Sequence, residues 1–200
     1  MGAGPRAAIL GAAACLALLV GCVPLLPLQS LSLADGALVL SAPRGYCIDG
    51  MTSRPEDGFA VMAPCASFGQ SGPVPEVMGL VAVQLGAAGS AAVRGAEGEL
   101  AALLRSPAGA ALLSATGQAE TVRLGGVTQA RGRVDVAFVD SAPQRMPGTD
   151  GRVWRSFFDM GDRLVTVSVR SPSAAPLTDA AARALLAQAD AALIAGGGGA

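Results

Sequence analysis

The sequence predicts an α+β domain in which an antiparallel sheet built of hairpins packs against segregated helices, one of them C-terminal. Three observations lead there. After Gly117 apolar residues alternate with period two through four runs, at 120–128, 133–140, 152–159 and 163–170, the spacing of strands with one buried face. Arg131–Gly132 and Met160–Gly161 separate those runs in pairs, as hairpin turns do. Leucines recur at helical spacing before and after the block, so helices flank the sheet instead of alternating with its strands.

The elements follow in order. Residues 37–40 form a short apolar strand broken by Pro43 and Gly45, and 46–48 resume as extended chain. Residues 58–63 read as a further strand stopped by Pro64, and 68–75, rich in Gly, Ser and Pro, as a loop. The apolar run 77–85 reads as a buried central strand, and 86–95 as a flexible connection. Residues 97–105 place Leu100, Leu103 and Leu104 on one helical face. Ser106 and Pro107 then open a second turn as N-cap and first helical residue, carrying Leu112 and Leu113.

In the first hairpin Val134, Val136 and Phe138 point one way and Asp135 the other. In the second, Val165, Val167 and Val169 face inward while Thr166, Ser168 and Arg170 face out. Thr178 caps the last helix with Leu177 as a hydrophobic staple. Leu185, Leu186, Ala189 and Leu193 make its buried stripe, and Gly196–Gly199 ends it.

Ahead of this domain, Arg6 precedes an uncharged apolar stretch, 7–20, with the proportions of a secretory signal. The stretch closes on Leu19, Val20, Gly21 and Cys22. Those residues resemble the bacterial lipobox, and the resemblance implies that Cys22 is diacylated, becomes the new N-terminus and is acylated again. Several chains on one residue anchor a protein durably, since each buried methylene contributes about 0.8 kcal/mol. Two other readings stay open: cleavage after Ser32, Leu33 and Ala34, before Asp35, and an uncleaved anchor helix over 7–28. The resulting division is a signal at 1–21, a tether at 22–36 that carries Pro24 and Pro27, one domain at 37–195 and a disordered tail at 196–200.

Charge excludes one class of partner. Of 200 residues, 14 are basic and 15 acidic. All the basic ones are arginine and none are clustered, so no nucleic-acid partner is expected. Four cysteines are present. Cys15 and Cys22 fall in the leader, which leaves Cys47 and Cys65 to form a disulfide in an oxidising compartment, stabilising the domain by about 3 kcal/mol in the chain-entropy account.

Two further resemblances can be stated. The segment Phe158, Asp159, Met160, Gly161, Asp162, Arg163, Leu164, Val165 with the closing helix resembles the end of PsbP/Mog1-like domains over the last 100 or so residues. The block Ala42, Pro43, Arg44, Gly45, Tyr46, Cys47, Ile48, Asp49 resembles uncharacterised alphaproteobacterial lipoproteins. The first implies binding or assembly roles and carries no functional residue with it.

Chemistry is sparse. Histidine and lysine are both absent, which removes the usual bases of serine and cysteine nucleophiles and the commonest zinc ligand. Gly69, Gln70, Ser71 and Gly72 miss the spacing of a nucleophile elbow, and no phosphate-binding Gly-rich loop precedes a helix. Carboxylates at 135, 140, 150, 159 and 162 are the enzymatic class left open, though each also reads as a solvated turn residue. Neither cofactor nor metal is expected. Trp154, Phe157 and Phe158 form the densest aromatic patch, with 154 and 158 on one strand face and 157 on the other, readable as core or as a binding surface.

The expected protein is a non-catalytic lipoprotein of the bacterial cell envelope, facing the periplasm. It would bind the membrane through its N-terminal lipid and an envelope protein through its sheet or aromatic patch. The alternatives are a carboxylate-dependent hydrolase of envelope glycans and an apolar-ligand carrier.

Overall fold

A computed structural model describes residues 1–2, 28–144 and 146–197, and Cys22 lies outside the described residues. The chain runs β1 (Ser30–Leu33), β2 (Leu38–Ser41), β3 (Tyr46–Ile48), β4 (Phe59–Pro64), β5 (Leu80–Leu85), α1 (Glu97–Leu104), α2 (Pro107–Leu113), β6 (Val122–Ala130), β7 (Arg133–Asp140), β8 (Thr149–Met160), β9 (Arg163–Pro172) and α3 (Asp179–Gly197). Seven strands form one antiparallel sheet in the order β3-β4-β5-β9-β8-β7-β6, and β1 pairs with β2 apart from it. This is the predicted α+β class. Among the described residues no helix is long and apolar enough to cross a membrane.

Strand alternation decides which side chains each sheet face presents. On β9, Val165, Val167 and Val169 are fully buried, and they pair with Leu85, Val83 and Val81 of β5. Trp154 and Phe158 of β8 join the same face. Leu185, Leu186, Ala189 and Leu193 of α3 cover it together with Leu33, Leu38 and Leu40 of the β1–β2 hairpin. Thr178 caps α3, its Oγ1 accepting from Ala181 N at 3.2 Å, and Leu177 is buried at the helix entrance. Asp190, on the buried stripe of α3, pairs with Arg133 and accepts from Ser156 Oγ at 3.0 Å, so the polar group is satisfied within the apolar layer.

On the opposite face α1 and α2 lie mainly over β6 and β7. Val134, Val136, Phe138 and Val153 pack there with Ala101, Leu104 and Leu113. Ser106 caps α2 as predicted, accepting from Gly109 N at 3.2 Å. A Cβ on Gly109 would sit 2.1 Å from Leu103 O, so the sharp join of α1 and α2 requires glycine there.

Three expectations change. Residues 22–36 were predicted as tether, yet Ser30–Leu33 is a strand and Leu33 is fully buried. The two prolines obscured the Ser-Leu-Ser-Leu alternation behind them, and the folded unit begins before residue 37. Leu103, placed with Leu100 and Leu104 on one helical face, and Leu112, carried by the second turn, are 40% and 70% exposed. Finally, α3 extends through Gly196 and Gly197, which the sequence reading placed in the tail. The rest of the predicted tail lies outside the described residues.

Candidate functional site

The aromatic patch divides between the two sheet faces. Trp154 is buried against α3, its Nε1–H donating to Asp179 Oδ1 at 2.6 Å. Phe158 is buried beside it, with the Arg133 guanidinium 5.9 Å from its ring centre. Neither offers a surface. Phe157 points the other way and lines a cavity, so the three residues do not form one binding site.

That cavity, of about 590 Å³, lies on the half of the sheet that α1 and α2 leave uncovered. Its floor comes from outward positions of β5, β8 and β9: Ala82, Gln84, Arg155, Thr166, Ser168 and Arg170. Thr52, Arg54, Phe59 and Met146 form the rim. Hairpin register sets the two floor arginines together. Arg155 is opposite Ser168 and Arg170 is opposite Val153, which makes them diagonal neighbours, close enough for long side chains to interact.

Arg155 is held from within the protein. Its Nε donates to Ser168 Oγ at 2.8 Å, and its guanidinium lies 5.5 Å from the Phe138 ring centre. Arg170 Nη1 donates to Gln144 Oε1 at 2.9 Å, whereas its Nε is buried without a hydrogen-bond partner. Among the described residues no carboxylate lies within ion-pair distance of either guanidinium. Burial, and after it the charge of Arg170, pushes the Arg155 pKa down to about 10. Burial likewise lowers Arg170, with Asp140 pulling the other way. Two cations next to one another, one with an unmet donor, form a cavity suited to an anion.

The carboxylates considered for catalysis are engaged elsewhere. Asp159 accepts from the backbone of Ala92, Val93 and Arg94 at 2.8–3.0 Å, which outweighs its burial and holds its carboxyl below the usual range. Asp162 accepts from Gly89 N, and Asp140 from Ala115 N and Ala142 N. Asp150 pairs with Arg152 and Asp135 with Arg133. Among the described residues no three His, Cys, Asp or Glu side chains converge to hold a metal. Cys47 and Cys65 are at bonding distance, 2.00 Å between sulfurs, on β3 and just past β4.

Sequence reasoning missed Arg155 and placed Arg170 only as outward-facing. The available signal was the second hairpin itself, because counting back from its turn puts both arginines on one face, diagonally across the strand pair.

No protein-family model matches the chain, and no curated protein matches it in sequence. Among solved structures the fold is similar to that of the Ran-binding protein Mog1p of Saccharomyces cerevisiae. The TM-score is 0.50 at 12% identity, covering 84% of this chain and 93% of that one. A Mog1 mutant gives a TM-score of 0.47 at the same identity and coverage. The architecture is therefore Mog1-like, over much more of the chain than the C-terminal hairpin and helix that suggested it.

Proposed function

We propose that this chain is a non-catalytic binding module of the bacterial cell envelope, anchored by lipid on Cys22, that engages an anionic group at Arg155 and Arg170. The carrying observation is the charge without an ion-pair partner: two guanidiniums line one cavity with no carboxylate within ion-pair distance among the described residues, and a buried Nε of Arg170 lacks a partner. A buried cation without a counter-ion costs stability, and a ligand anion would offset that cost. The local engagement of the acidic residues favours binding over carboxylate hydrolysis.

The fold also bears on the processing site. Cleavage between Ala34 and Asp35 would remove β1 and with it Leu33, a fully buried member of the core. Cleavage before Cys22 retains both, which supports the lipobox reading. Leu28, the last residue of the alternative anchor helix, instead pairs with Ile48 as a bridge.

Titration with inorganic phosphate, followed through the Nε–Hε NMR signals of the arginines, tests the site. The Arg155 and Arg170 signals should move together and saturate, and Arg155→Gln should abolish the response at Arg170. Signals that stay still throughout would refute the anion site. Fractionation of a Cys22→Ser variant tests the anchor separately, with loss of membrane association expected.

A further inference from the structure

A second, apolar cavity of about 220 Å³ adjoins the arginine cavity, and Arg155 and Phe157 belong to the walls of both. It lies between the α1–α2 pair and the sheet. Leu104 and Leu113 are buried along it, Leu164 of β9 belongs to its wall, and Leu103 and Leu112 stand exposed on it. Those last two have the residue type and helical spacing of core positions, yet no element among the described residues covers them. Arg155 occupies the boundary: it lines both cavities, and its Nε–H donates to Ser168 on the floor of the polar one, the divided environment a long basic side chain tolerates.

Resting on the reading of the arginine cavity as an anion site, we infer that the occupant is a single anionic amphiphile, its head between Arg155 and Arg170 and its aliphatic chain in the groove lined by Leu103, Leu104, Leu112 and Leu113. Charge complementarity fixes the head. The wall of Arg155 and Phe157 that the two cavities share sets the direction of the chain, and the exposed leucines supply surface for it to cover. A free phosphate or a purely acidic peptide would use only the first cavity and leave the groove open to water.

The Asp159 carboxylate has a positioning role here. By holding the backbone of Ala92, Val93 and Arg94 it fixes the segment from which Ala92 and Val93 line the groove.

The test uses the full-length Cys22→Ser chain, which has no lipid of its own to fill the groove. It is titrated with inorganic phosphate, hexyl phosphate, decyl phosphate and decyltrimethylammonium, all as monomers. Complete burial of a methylene contributes about fourfold in affinity. Since the groove is open along one side, decyl phosphate should bind at least about tenfold more tightly than hexyl phosphate. Leu112→Asp, an exposed position where folding is spared, should erase that difference and leave the phosphate response at Arg155 in place. Equal affinity for the two chain lengths, with the phosphate response intact, overturns the amphiphile while sparing the anion site. Equal affinity for the cationic amphiphile overturns the assignment of the head. Silence of Arg155 and Arg170 toward every anionic probe removes both readings.

Discussion

The two faces of β8 and β9 differ in what covers them, and the same alternating strands serve both. Toward α3, Val165, Val167 and Val169 are fully buried, and the polar groups present, Ser156 and Asp190, satisfy one another with Arg133. Away from α3, alternate positions on those strands carry Arg155, Thr166, Ser168 and Arg170 beneath an open cavity. One face gains its stability from packing. The other keeps charge in a half-buried place where packing alone would have favoured apolar residues, and a cost retained in this way points to use. Mutations should therefore have opposite signs on the two faces.

The largest effect belongs to the covered face. Leu185→Ala, at a side chain with no exposure, should destabilise the fold by about 3 kcal/mol through lost transfer energy and a residual cavity. Urea denaturation would measure it, and a loss under about 1 kcal/mol would break the contrast. On the open face Arg155→Met should instead stabilise by about 1 kcal/mol, because an apolar side chain of similar reach replaces an unpaired cation. The same variant should no longer sense phosphate. Destabilisation by Arg155→Met would mean that its contacts with Ser168 and Phe138 are structural supports.

A smaller effect sharpens the covered side. Tyr46, the protein's single tyrosine, donates from Oη to Val77 O at 2.7 Å and accepts from Gly79 N at 3.0 Å. Burial pushes its pKa up to about 12, against a weaker lowering by the Gly79 hydrogen bond. Between the ordinary value of 10.0 and about 12 the unfolded chain releases the phenol proton while the folded chain retains it. Stability then falls as pH rises through that window. Tyr46→Phe should cost about 1 kcal/mol at neutral pH for the lost hydrogen bonds, and its deficit should narrow above pH 10. A deficit independent of pH would show that Oη is reached by solvent.

Much of the fold was legible in the sequence because its signals are local. The valines of β9 announce a strand by period two, Ser106–Pro107 and Thr178 mark helix starts through side chains that accept from the next turn, and the α3 stripe at 185, 186, 189 and 193 follows from 3.6 residues per turn. The aromatic patch was legible only as composition. Its division between faces follows from alternation, whereas the burial of Trp154 depends on α3 returning to lie over it. Leu103 and Leu112 misled for the same reason, since helical spacing shows which residues share a face and leaves open whether another element arrives to cover it.

By itself, then, the sequence determined the α+β class, the hairpins, the helix caps and the pairing partners left to Cys47 and Cys65, all of which depend on residues near in the chain or on simple elimination. Only the tertiary structure decided that α1 and α2 stop short of β5 and β9, that Arg155 and Arg170 face a cavity without a carboxylate, and that a leucine groove meets them there. Coverage of a sheet face depends on the path of chain segments distant in sequence, and no local period encodes it.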